Sequence, residues 1–252
     1  MGALLLLAVL LSQTGFPVYT LDSIANAASN KSGSYAPNSF VSIYGKDLSY
    51  VTRALASSDL SAGQLPTVLS GTAVRVLIGL SSTNVFFVSP GQVNVLIPAG
   101  LKAGDISIQL SNSALVGPPV KITLTDTAPA IFQIDSATLA ATHADGSLIT
   151  SKSPAKPGEV IVLYAGGLGP TSPEQIAGQL AKTAASVATP GFGVWLNGLP
   201  VSATAIKYAG ITPGFAGLYQ VNLELPPNIA SPEVRIGFGS PTSPGGLYLP
   251  TN

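Results

Sequence analysis

The sequence predicts an all-β protein made of two tandem β-sandwich domains, and three observations carry that prediction. One block recurs: Gln92-Val93-Asn94-Val95-Leu96-Ile97-Pro98 returns as Gln220-Val221-Asn222-Leu223-Glu224-Leu225-Pro226, an offset of 220 − 92 = 128 residues. A period of that size is a domain, not a solenoid turn. Inside each block apolar residues alternate with polar ones, the period of a strand with one buried face. The rest of the 252 residues reads as short alternating segments punctuated by 27 Gly and 21 Pro, with hardly any helical spacing.

The first element is the apolar run from Ala3 to Leu11, followed by the breakers Ser12, Gln13, Thr14, Gly15 and Pro17. It fits the h-region of a secretory signal peptide and is too short to span a bilayer. No Lys or Arg precedes it, and no clean A-x-A site follows it. The expected organisation is a signal peptide at 1–19, an immunoglobulin-like β-sandwich at 20–127 and a second at 128–252. The expected location is secreted, cell-surface or periplasmic, with no membrane insertion of the mature chain.

Within the copies the strands fall into register. Phe40-Val41-Ser42-Ile43-Tyr44 after Pro37-Asn38 matches Val160-Ile161-Val162-Leu163-Tyr164 after Pro157-Gly158, at an offset of 157 − 37 = 120. Next come Val74 to Ile78 and Val194 to Leu196, then Val85 to Val88 and Ala205 to Tyr208. The two Q-V-N strands follow, and the runs from Asp105 to Leu110 and Glu233 to Phe238 complete each set. The offsets differ by 128 − 120 = 8 residues, and most of that excess lies before the second Q-V-N strand. There the first copy has only Ser89-Pro90-Gly91, whereas the second has a loop from Gly210 to Tyr219. Glu174 to Val187 has Ile176 and Leu180 four apart, but Gly178 interrupts it, so a loop with at most a turn or two is expected. The copies should meet near Thr125-Asp126-Thr127-Ala128-Pro129 with no long flexible linker, and so pack closely.

Apolar residues make up 46% of the chain and charged ones 9%, with 11 basic and 11 acidic residues. Such a balance gives no field to attract nucleic acid or anionic lipid. Cysteine is absent, which removes disulfides, thiolate metal sites and thiol nucleophiles. No G-x-S-x-G, Ca²⁺ loop or Walker ending is present, and the glycine-rich Ala165 to Pro170 reads as a strand-end turn. No cofactor and no metal site are expected. His143 is the single histidine. It is either a general base oriented by Asp145 or Asp135, or, as preferred here, a residue beside an Asp145-Gly146 hairpin turn.

Several blocks in order carry a family resemblance: Asn26-Ala27-Ala28-Ser29, Ala36-Pro37 with Val41-Ser42-Ile43-Tyr44-Gly45, Val88-Ser89-Pro90-Gly91-Gln92-Val93-Asn94, Ala128-Pro129-Ala130-Ile131-Phe132, Asp145-Gly146-Ser147, and Tyr208 to Gly214 with Gly217 to Asn222. Together they resemble the tandem immunoglobulin-like (IPT/TIG-like) region of secreted bacterial proteins, the Solibacter uncharacterised C-terminal domain family. The resemblance spans nearly the whole chain after the leader. It departs at Asn38, where the pattern usually has Gly, and at His143, where it tends to have Asn. Asn38 is tolerable because Asn also accepts turn conformations. The resemblance implies a secreted β-rich module with no established activity and no site residues to carry over.

The candidate binding residues are Tyr208, Phe215 and Tyr219, with Gln220 and Asn222 beside them and Trp195 as a further ring. Exposed rings would stack on sugars while the amides meet hydroxyls. The alternative, preferred because aromatics in small sandwiches are usually buried, is that these rings plug the core or the interdomain seam. The expected function is a non-catalytic extracellular interaction or scaffolding module with a protein or glycan partner. The alternative is a carbohydrate-binding module acting through residues 208–222.

Overall fold

A computed structural model describes residues 15–240 and 242–251. The leader run Ala3 to Leu11 lies outside these residues. Among the described residues helix is confined to three short 3-10 turns, Leu21–Ser23, Ser57–Asp59 and Ala203–Ala205. Everything else regular is strand, and the chain forms two β-sandwiches of immunoglobulin-like kind.

In the first sandwich one sheet runs in the order Ile24–Asn26, Phe40–Tyr44, Gln92–Leu96, Asn84–Ser89 and Arg53–Ala54. The facing sheet runs Ser34–Tyr35, Val120–Leu124, Gly104–Asn112, Val74–Ile78 and Ser81–Ser82. Val41, Ile43, Val93, Val95, Val76, Ile108 and Leu110 interdigitate between them, nearly or fully buried. In the second sandwich the main sheet runs Ala130–Ile131, Val160–Gly166, Tyr219–Glu224, Ile206–Ile211, Ala185–Val187 and Thr171–Ser172. Opposite lie Leu199–Pro200, Phe192–Leu196 and Val234–Phe238. The first core draws its residues from Tyr19 to Leu124 and the second from Ile131 to Leu249. Tyr19 is buried; its hydroxyl donates to the Pro118 carbonyl at 2.7 Å and accepts the Leu110 N–H at 2.7 Å.

The equivalence of the copies extends to an irregularity. Opposite Val95 and Asn94 the first copy carries a β-bulge between Val85 and Phe87; opposite Leu223 and Asn222 the second carries one between Ile206 and Tyr208. A bulge inserts one unpaired residue and re-aims its neighbours. In the first copy it lets both Val85 and Val88 face the core, at 0% exposure, and turns Phe86 outward. The bulged residue of the second copy is Lys207.

Glu174 to Val187 contains no helix; it follows the strand Thr171–Ser172 and ends in the strand Ala185–Val187. Gly178 has φ +69, and a Cβ there would collide with the Asn84 amide, so this glycine serves an approach of the second copy to the first. Asn38, in the position where Gly is usual, has φ +58, a left-handed conformation that Asn tolerates better than other side chains.

Candidate functional site

The two sandwiches meet along a seam with its own hydrogen bonds. The Leu65 N–H donates to the Gly178 carbonyl at 2.8 Å and the Leu180 N–H to the Gly63 carbonyl at 2.9 Å. The Gln64 amide reaches the Ala177 carbonyl at 3.2 Å. Beside these bonds Leu65, Leu96 and Ala216 form a small buried cluster, with Phe40, Leu55, Leu60, Phe86 and Leu180 packed against it. Burial of so many apolar groups across the seam, at roughly 25 cal/mol per Å², opposes hinge motion between the sandwiches.

The inserted loop of the second copy builds this contact. Its base is closed by the Thr212 N–H to the Leu218 carbonyl at 2.8 Å. Its tip is held by the Gly214 N–H to the Ala181 carbonyl at 2.8 Å and by the Ala181 N–H to the Phe215 carbonyl at 2.9 Å. Gly217 has φ +71, and a Cβ there would collide with Leu96 Cδ1. Only glycine lets the loop turn and lie this close on the first copy. Ala216 is buried by that approach, while Phe215 keeps 51% of its surface exposed.

What remains open beneath the loop is a groove of about 730 Å³. Phe215 and Leu218 of the loop line it together with Phe40, Phe86, Gln92 and Asn94 of the first copy, the two amides standing on the central strand of the sheet that floors it. Phe40 and Phe86 meet edge to face, with ring centroids 4.6 Å apart. Tyr44, at 37% exposure, sits across from Gln92 in the strand register. The rim from Ala54 to Ser57 is fixed by Arg53, whose guanidinium donates to both Asp59 carboxylate oxygens at 2.8 and 2.9 Å. Among the described residues that line it, none is charged.

The floor amides have a defined arrangement. Alternation sends Val93 and Val95 into the core, so Gln92 and Asn94 share the outer face. Gln92 Nε2 donates to Asn94 Oδ1 at 2.8 Å. Gln92 Oε1 and Asn94 Nδ2 have no protein partner among the described residues, leaving one acceptor and one donor side by side. In the second copy Gln220 Nε2 donates to Asn222 Oδ1 at 3.0 Å, the same pairing. Gln220 and Asn222 lie on the outer face of their own sheet and do not line the groove.

Of the five candidate residues, the structure brings only Phe215 to this groove. Tyr219 is a correction as a binding residue: it is fully buried. Its hydroxyl donates to the Gly169 carbonyl and receives the Asn38 amide at 3.3 Å, so it plugs the seam. Burial pushes its pKa up to about 12, against the Asn38 hydrogen bond. The signal was available, since the alternation that sends Val221 and Leu223 inward sends Tyr219 inward too. Tyr208 is also corrected as a ligand-facing group. Its half-buried hydroxyl accepts the Ala185 N–H at 3.1 Å and donates to the Ile211 carbonyl at 2.8 Å. Trp195 lies in the opposite sheet of the second sandwich, buried. Sequence reading missed Phe40, Phe86, Tyr44, Gln92 and Asn94 because the loop that makes them a site comes from the other copy.

His143 sits beside the Asp145-Gly146 turn, which the His143 N–H closes onto the Ser147 carbonyl at 2.9 Å. Its partner is neither Asp145 nor Asp135 but Glu159, with Nδ1 2.5 Å from Oε1. Nε2 lies 3.2 Å from the Ser153 carbonyl and 3.3 Å from its hydroxyl. The order Ser153, His143, Glu159 is that of a hydrolase triad, but a general base needs a free lone pair on Nε2. Here both ring nitrogens face acceptors, which suits the protonated ring. The Glu159 hydrogen bond raises the His143 pKa above its ordinary value, against a smaller desolvation effect. Desolvation works to raise the Glu159 pKa, yet the Lys156 N–H and His143 hydrogen bonds outweigh it and hold the group lower. Among the described residues no group of three His, Asp or Glu is placed to hold a metal ion.

Comparison with known proteins found no matching family model and no matching curated protein. Three solved structures are similar at a distance. The Bacteroides ovatus mixed-linkage glucan utilization locus protein SGBP-B, in complex with a mixed-linkage heptasaccharide, is 12% identical over 81% of this chain and 36% of that one, TM-score 0.32. The Escherichia coli adhesin FdeC is 12% identical over 94% of this chain and 65% of that one, TM-score 0.25. The I9–I11 tandem of titin is 9% identical over 94% of this chain and 66% of that one, TM-score 0.23. This chain thus spans from about a third to two thirds of their lengths, and likenesses this distant carry no functional argument.

Proposed function

We propose that this protein is a non-catalytic, exported interaction module of the tandem immunoglobulin-like kind, in which two sandwiches are locked into one body that presents the groove at their junction. The observation that carries this reading is the seam: paired backbone bonds, the Leu65–Leu96–Ala216 cluster and the Tyr219 hydroxyl between Gly169 and Asn38. A scaffold must hold a fixed geometry, and a junction fastened at several independent points does so. The closed hydrogen-bond shell of His143 supports a structural role for the single histidine.

Small-angle scattering of the protein in solution tests the locked body. A profile that fits one rigid two-sandwich particle is expected; a profile requiring a spread of interdomain angles contradicts the locked body. A turnover screen over ester, glycoside and peptide substrates tests the non-catalytic part. Hydrolysis that His143→Ala abolishes would overturn it.

A further inference from the structure

We infer that the groove binds a neutral polysaccharide of gluco-configured, β-linked sugars, an inference that rests on the interaction-module reading. Three features select this ligand. The described lining residues carry no charge, so neither a phosphorylated nor an acidic chain gains anything from them, and a basic peptide finds no counter-ion among them. Phe215, Phe86, Phe40 and Tyr44 offer apolar ring surface around the opening, with Phe215 and Tyr44 exposed in the free protein. A sugar whose hydroxyls and glycosidic bond are all equatorial, as in a β-linked gluco-configured chain, has C–H bonds on both faces and polar groups around its edge, so it presents an apolar plane to such rings.

The floor supplies the edge recognition. The acceptor Gln92 Oε1 and the donor Asn94 Nδ2 stand on adjacent outward positions of one strand, tied together by the Gln92–Asn94 hydrogen bond. Neighbouring equatorial hydroxyls each donate and accept, so a vicinal diol matches this pair. An apolar peptide would cover the rings and leave these two amide atoms desolvated and unpaired, at a cost that a diol avoids. The groove, at about 730 Å³, is open and of the size that binding clefts have, which suits a chain passing through it better than a sealed small molecule.

Isothermal titration with cellohexaose tests the inference. Saturable binding is expected. Phe215→Ala should weaken it about tenfold, as loss of a central ring does. Gln92→Ala with Asn94→Ala should weaken it about fivefold. Gln220→Ala with Asn222→Ala should leave it within about twofold, since that pair lies outside the groove. Phe215 is exposed, so its variant is expected to fold normally. Absence of binding at millimolar sugar, or binding that Phe215→Ala leaves unchanged, overturns the glycan assignment. In that event scattering from one rigid particle leaves the module reading standing, whereas scattering from two free bodies removes both.

Discussion

The outer faces of the two Q-V-N strands begin alike and end differently. Both carry a Gln–Asn amide pair, and both set a tyrosine opposite the glutamine, Tyr44 across from Gln92 and Tyr164 across from Gln220. One strand pair further along they part. Phe40, Phe86 and Leu96 of the first copy correspond to Val160, Lys207 and Glu224 of the second. The first trio is an apolar seat that accepts Ala216 and Gly217. The second places a salt bridge there, Lys207 Nζ to Glu224 Oε2 at 2.6 Å, with both side chains nearly half exposed. Duplication therefore copied the strand chemistry, while substitution made one face a docking seat and left the other to water. The inserted residues of the second copy complete the site on the first, so neither sandwich alone contains it.

Disrupting the seam at its plug should have the largest effect. Tyr219→Ala removes a fully buried ring and leaves the Gly169 carbonyl without its donor, and should lower the free energy of unfolding by about 3–5 kcal/mol in a denaturant titration. The first copy has Gly91 at the equivalent position, so no such loss is available there.

Exchanging the divergent residues breaks the comparison itself. Phe86→Lys gives the first copy the bulge residue of the second, removes the Phe40 contact and sets an ammonium against the apolar seat; destabilisation of about 2–3 kcal/mol is expected. Lys207→Phe on the exposed face should stay within about 0.5 kcal/mol, because a surface ion pair contributes little. Equal costs for the two exchanges would contradict the assignment of different environments.

An effect smaller than that of Phe86→Lys is one of pH and belongs to the second copy, which alone has a histidine. A histidine with a raised folded pKa contributes stability that is complete below its ordinary value of 6.5 and is lost as pH rises through the folded value. Glu159, held low, contributes stability that is complete above its ordinary 4.5 and is lost as pH falls through its folded value. Thermal stability from this pair should therefore be highest between these two values. It should decline on either side by about 1 kcal/mol or less after solvent screening. His143→Gln should flatten the alkaline side of that profile.

Much of the strand layout is legible in the sequence because the period of two is a local property. Phe40–Tyr44 and Val74–Ile78 fall where the alternation puts them. Asn84–Ser89 is harder to read, since its bulge breaks the alternation and sends Phe86 outward against the simple pattern. The longer loop stands out as an insertion, but its target does not. Nothing near Phe215 in the chain says that it will share a groove with Gln92 and Asn94, and the difference between the apolar Leu96 and the charged Glu224 gains meaning only when the seam is seen. His143 shows the same limit: Asp145 is close in sequence, yet Glu159, sixteen residues away, holds the ring.

The two near-identical amide pairs differ in what surrounds them, one lining the groove and the other lying outside it. Side-chain amide resonances of Gln92, Asn94, Gln220 and Asn222, followed by NMR during titration with cellohexaose, compare the two faces within one sample. Movement of the Gln92 and Asn94 signals with those of Gln220 and Asn222 unmoved is the predicted result. Movement of Gln220 and Asn222, alone or to the same extent, would contradict it.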